Sequence, residues 1–213
     1  RPSLAALPEP VAALAFPIPP PAPGRGATNP PTWQVQSGTT AAVLGLVGFG
    51  DLVSGGPASN PHNNYVQTNL SRAFGEVIVV HATAPATPKT RGGDPVMGSG
   101  DLRYWSICQN SRSTRYIDCM SDEDVALDPD GAFTIVVSTP DQRPANAENW
   151  LAFGPEPESV LLYRHMLPSP EFFPRSAQGV AASGEPIEEV MGEYFPSTVY
   201  CSKTDFEENH CGF

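Results

Sequence analysis

Four histidines, four cysteines and a cluster of acidic residues are the side chains in this sequence whose types and spacing could do chemistry. His62, His81, His165 and His210 lie far apart along the chain, so no helix presents two of them as metal ligands and any site must be assembled by the fold. His81 closes the apolar run EVIVVHA, and His165 lies near the end of SVLLYRHM. Both read as strand ends, the places where a β-rich body exposes binding groups. A rim site around His81 and His165, with Arg103, Arg164, Asn149 and Trp150 as neighbouring ligand-binding candidates, is the one constellation that would support acid–base or metal chemistry. The plainer alternative is that each histidine is a hydrogen-bonded strand-end residue. The sequence supplies no metal-ligand motif and implies no cofactor. The catalytic residues, if any, are unknown: GSG at 98–100 is too short for a nucleophile elbow, and no strand–turn–helix pattern surrounds it.

The stretch SDEDVALDPDG, residues 121–131, gathers five carboxylates that would suit calcium, but it lacks the spacing of a helix–loop–helix calcium loop. A solvated acidic connection ending in a tight turn is the simpler expectation. Tyr104, Trp105, Trp150 and Tyr163 offer aromatic faces for a ligand, although strand alternation sends Tyr104 and Trp105 to opposite faces. NLS at Asn69 is a glycosylation sequon, with meaning only in a eukaryotic source.

Cys108 and Cys119 are eleven positions apart, and Cys201 and Cys211 ten. Neither spacing makes a redox pair or a zinc knuckle. If residues 102–108 and 116–120 form a hairpin turning at Ser113 and Thr114, Cys108 and Cys119 fall opposite one another, close enough for a disulfide. Cys201 and Cys211 bracket SKTDFEENH, read here as a polar surface loop tied at its base. Of three connectivities, the local one is expected, and disulfides point to a secreted or cell-envelope protein.

Composition bounds the partners. The chain has 213 residues and a formal net charge of −11, which repels nucleic acid and anionic membrane surfaces. No apolar run reaches membrane-spanning length; the nearest, residues 39–53, is interrupted by glycines and Asp51 and reads as a buried strand or short core helix. The chain begins at Arg1, as expected of a processed N-terminus.

Twenty-five prolines and nineteen glycines forbid long helices. Ten of those prolines fall in residues 1–31, which read as an extended arm preceding a single β-sandwich domain over 32–213. The arm also carries Leu4, Leu7, Val11, Leu14, Phe16 and Ile18, which a solvated linker would not need; it is therefore expected to dock on the body or on a neighbouring subunit. Strands are expected over 76–82, 101–108, 115–120, 132–138 and 159–166, and helices over 65–74 and 185–194.

YWSI (104–107), DPDGAFTIVVS (128–138), ENWLAF (148–153) and LLYR (161–164) together resemble a bacterial domain family of unknown function, numbered 1214. The resemblance covers roughly a third of the chain. It implies a jelly-roll-like antiparallel β-sandwich in an exported or envelope protein, and it carries over no catalytic residue. The expected function is a non-catalytic, exported ligand-binding or structural subunit that self-associates or meets a partner subunit through its arm. The alternative is an enzyme with a rim or metal site around His81 and His165.

Overall fold

The structure is a computed structural model that describes residues 26–35, 62–112 and 116–213. The arm up to residue 25, the apolar stretch 39–53 and the turn at 113–115 lie outside the described residues. Nine strands among the described residues form two sheets. The first holds β1 (Trp33–Val35), β2 (Asn63–Ser71), β8 (Glu158–Pro168), β4 (Leu102–Ser111) and β5 (Tyr116–Ser121), in that order and antiparallel throughout. The second holds β7 (Asn149–Ala152), β6 (Ala132–Ser138), β3 (Val77–Thr83) and β9 (Ser197–Cys201). In it β3 pairs antiparallel with both β6 and β9, whereas β6 and β7 run parallel.

Alternation explains what each sheet buries. On β8, Ser159, Leu161, Tyr163 and His165 point inward, while Val160, Leu162, Arg164 and Met166 are only half-buried. Val66, Trp105, Ile107, Leu161 and Tyr163 from the first sheet meet Ile78, Val80, Phe133, Ile135 and Val137 from the second in one continuous apolar cluster. Trp105 stacks on Phe133 at 5.2 Å and meets Tyr163 edge-on at 5.9 Å, so the two sheets lock through aromatic rings. Both open sides are bridged. The Trp33 indole donates to Thr198 Oγ1 at 3.0 Å, linking the edge strands β1 and β9, and Ala152 N–H donates to Asp118 Oδ2 at 3.0 Å, linking β7 to β5. Near that second bridge, Gly154 has φ +88°, and a Cβ there would meet Ile117 Cδ1 at 2.7 Å, so the bend needs glycine.

Two expectations are corrected. Residues 65–74 do not form a helix: most of that stretch is strand β2, paired over nine residues with β8. Val66 and Leu70 are four apart and fit either period, but Thr68 is also fully buried, which only alternation explains. SKTDFEENH is likewise not a loop. Ser202 caps a helix by accepting from Asp205 N–H at 3.0 Å, and Phe206 is pressed into a second cluster with Val77, Val79 and Val136 on the outer face of the second sheet. The expected helix near 185–194 is a short α-helix over Ile187–Met191 followed by a 3-10 turn, with Met191 buried. In chain order the helices are α1 (Ala177–Ser183), α2 (Ile187–Met191) and α3 (Lys203–Asn209). No described helix is long and apolar enough to cross a membrane.

The disulfides pair as expected, Cys108 with Cys119 and Cys201 with Cys211. Cys108 and Cys119 are directly opposed on β4 and β5, just before a register shift at Gln109 and Asn110. Two disulfides fit an oxidising, extracytoplasmic environment. Replacing Cys108 and Cys119 together by serine is expected to cost about 3 kcal/mol in a urea titration, since the bridge closes an eleven-residue separation. An unchanged midpoint would show that the hairpin is held by its ladder alone.

Candidate functional site

The structure does not bring the two histidines together. His165 is fully buried in the inter-sheet core. Its ring packs edge-on against Tyr163 at 4.4 Å and near Phe172 at 6.1 Å, and its Nδ1 accepts the N–H of Ala177, the first residue of α1, at 3.2 Å. Gln178 donates to the His165 carbonyl at 3.0 Å, so strand and helix are pinned by side chain and backbone alike. Burial pushes the His165 imidazole down to about 3, so at neutral pH it is an uncharged acceptor. His81 shares a parity with Val77 and Val79 and so faces the outer side of the second sheet. There Nδ1 lies 3.0 Å from Thr134 Oγ1, and the ring stacks on Phe213 at 5.1 Å. The whole second sheet stands between the two imidazoles.

The other candidates are equally dispersed. Arg164 faces the opposite side of β8 from Tyr163 and His165, its guanidinium 5.0 Å over the ring of Tyr65. Arg103 is half-buried near the start of β4. Asn149 is buried as a structural clamp: its amide donates to the carbonyls of Ala126 and Thr134 at 2.8 and 3.1 Å, and its oxygen accepts Ala126 N–H at 2.8 Å. Trp150 donates to Ser138 Oγ at 2.9 Å beneath the guanidinium of Arg143, 4.8 Å from its ring. Tyr104 and Trp105 diverge as alternation requires, Trp105 into the core and Tyr104 half-buried.

The acidic stretch is spent on its own loops. Glu123 accepts from Thr90 Oγ1 at 2.7 Å and from Arg91 N–H, Asp124 pairs with the Arg91 guanidinium, and Asp128 Oδ1 accepts Ala132 N–H at 2.8 Å to close the tight turn. Its hydrogen bond from Arg91 holds the Asp124 carboxyl far below the usual carboxylate range. Asp122 differs: burial pushes its carboxyl up, and one oxygen has no hydrogen-bond partner.

A concave feature of the described surface lies elsewhere, where no candidate residue sits. A groove of about 550 Å³ runs between β1, with Thr32 before it, and the α1–α2 corner, with Phe195 closing it. One wall is an edge strand: among the described residues nothing pairs with the outer side of β1. The opposite wall follows from local chemistry. Ser176 caps α1, the helix ends on Gly184 at φ 71°, a left-handed turn suited to glycine, and Pro186 fixes the entry to α2. Trp33, Val35, Ile187, Pro186 and Phe195 make the floor apolar, while Glu185 and Glu188 are the charged groups lining it. Such a channel suits an extended, apolar segment carrying a cation: backbone at the strand edge, side chains on the floor, positive charge at the glutamates. The sequence signal was slight, since a three-residue strand and a Gly-Glu-Pro corner carry no motif.

No family model matches the chain, and no curated protein does. Solved structures with partial likeness include an uncharacterized protein from Burkholderia cenocepacia, 19% identical over 55% of this chain and 30% of that chain at a TM-score of 0.42. A second, a protein from Vibrio parahaemolyticus, is 16% identical over 68% of this chain and 32% of that chain at a TM-score of 0.40. The chain thus spans about a third of the length of each. At those scores neither likeness bears on fold or function.

Proposed function

We propose that this chain is an exported β-sandwich that acts as a ligand-binding or structural subunit of an extracellular or envelope assembly, and that it binds through the groove beside β1. The observation that carries the reading is the edge of β1, with which nothing pairs among the described residues, forming one wall of an apolar, acid-rimmed channel. Main-chain hydrogen bonds at such an edge give affinity for any extended segment, and the floor and rim select among segments. The two disulfides support export. The same reading takes the two sheets as the jelly-roll-like sandwich implied by the resemblance to family 1214, with the proline-rich arm as its means of association. His165, Asn149, Trp150 and His81 are engaged in holding the body together, which supports binding over catalysis around those residues.

The test is a titration of the full chain with a synthetic proline-rich peptide bearing one arginine, followed by amide NMR shifts. Shifts centred on Trp33, Val35, Ile187 and Phe195 are expected. Shifts centred on His81 or His165, or none up to millimolar peptide, would contradict the reading.

A further inference from the structure

The groove has a covalently attached candidate occupant. Thr32, at its lining, meets Thr28 through their hydroxyl oxygens at 2.8 Å, and Thr28 Oγ1 also donates to the Pro30 carbonyl at 2.8 Å. The chain preceding β1 is therefore folded back against the groove's own rim at Thr28. Arg25 is three residues upstream, within about 10 Å of Thr28 along even a fully extended chain. The segment ending there, residues 1–25, contains eight prolines and two arginines against one glutamate, in a chain whose net charge is −11. It is thus a net-positive segment, opposite in charge to the Glu185 and Glu188 that line the groove. Its stretch LAFPIPPPAPGR, residues 14–25, combines the features the groove selects. It has large apolar side chains at Leu14, Phe16 and Ile18, prolines that favour an extended backbone and so lose little entropy on docking, and a terminal guanidinium.

We infer that residues 14–25 are the groove's resident occupant in the free protein, seated in cis beside β1 with Arg25 toward Glu185 and Glu188. This rests on the reading of the groove as the binding surface and names what first fills it. A tether of a few residues sets an effective concentration on the order of millimolar, so a partner segment must displace the arm or exchange with it. The arm is then a placeholder that keeps the β1 edge from pairing with unintended strands.

Photo-cross-linking of the full chain decides this. Gln34→p-benzoylphenylalanine places the probe at a half-buried position of the lining and keeps both glutamates. Irradiation at low micromolar concentration is expected to give a monomeric adduct joining residue 34 to peptides within 14–25. Arg25→Glu is expected to reduce its yield several-fold, and adding Glu185→Arg to restore it. Absence of that adduct, or an adduct only at twice the monomer mass, overturns the inference. If the adduct is absent while the arginine-bearing peptide still shifts the groove amides, the occupant is wrong and the groove reading stands. If both fail, the groove reading falls with it.

Discussion

Trp105→Ala is expected to destabilise the protein by roughly 3–5 kcal/mol, the largest effect of any single substitution considered. The indole is 1% exposed, stacks on Phe133 across the two sheets, abuts Tyr163, and donates to the Pro85 carbonyl at 3.2 Å. Alanine removes the cross-sheet contacts and leaves that buried carbonyl without its donor, and the surrounding strands are too well paired to collapse into the space. Urea denaturation followed by far-ultraviolet circular dichroism measures it. A loss under about 1 kcal/mol would mean that the two sheets do not depend on this aromatic lock.

The second large effect is acid lability centred on His165. Its folded-state value of about 3 lies below the ordinary 6.5, so in acid the unfolded chain binds this proton first. The stability contribution is therefore complete above about 6.5 and is lost as pH falls toward 3, at about 1.4 kcal/mol per pH unit. Asp122 works in the opposite sense, because its raised carboxyl makes the folded state the readier proton acceptor. Asp122 is common to the wild type and a His165 variant, so comparing the two from pH 6.5 to 5 isolates the histidine. His165→Asn keeps an oxygen acceptor for Ala177 N–H and removes the titration. Its denaturation midpoint is expected to be flatter with pH in that interval than the wild type's. Equal slopes would show that His165 is not the group whose protonation is resisted.

Much of the β framework was legible because its signals are local. Strands β3 to β6 and β8 are short apolar runs between turn residues, and opposed cysteines on a hairpin declare their own pairing. β2 was misread because Val66 and Leu70 satisfy both periodicities, and only nine residues of pairing with β8 decide between them. α3 was misread because a single apolar residue, Phe206, carries its packing. The candidate site was not legible at all. Strand position singled out His81 and His165, yet alternation sends one to the outside of the second sheet and the other into the core, and which face a strand residue takes depends on register rather than residue type. The groove arises from residues 32–35 and 184–195, more than a hundred positions apart, each unremarkable in its own stretch.

The central claim, that the edge groove is the binding surface, is tested most directly by separating affinity from stability. Glu185→Lys with Glu188→Lys reverses the two exposed charges lining the groove while leaving the core untouched. With Arg25→Ala in both proteins, so that the arm's own charge does not offset the change, the account predicts that this variant melts at the same temperature as its parent and binds the arginine-bearing, proline-rich peptide roughly tenfold more weakly in a calorimetric titration. Equal affinity in the two proteins would contradict it.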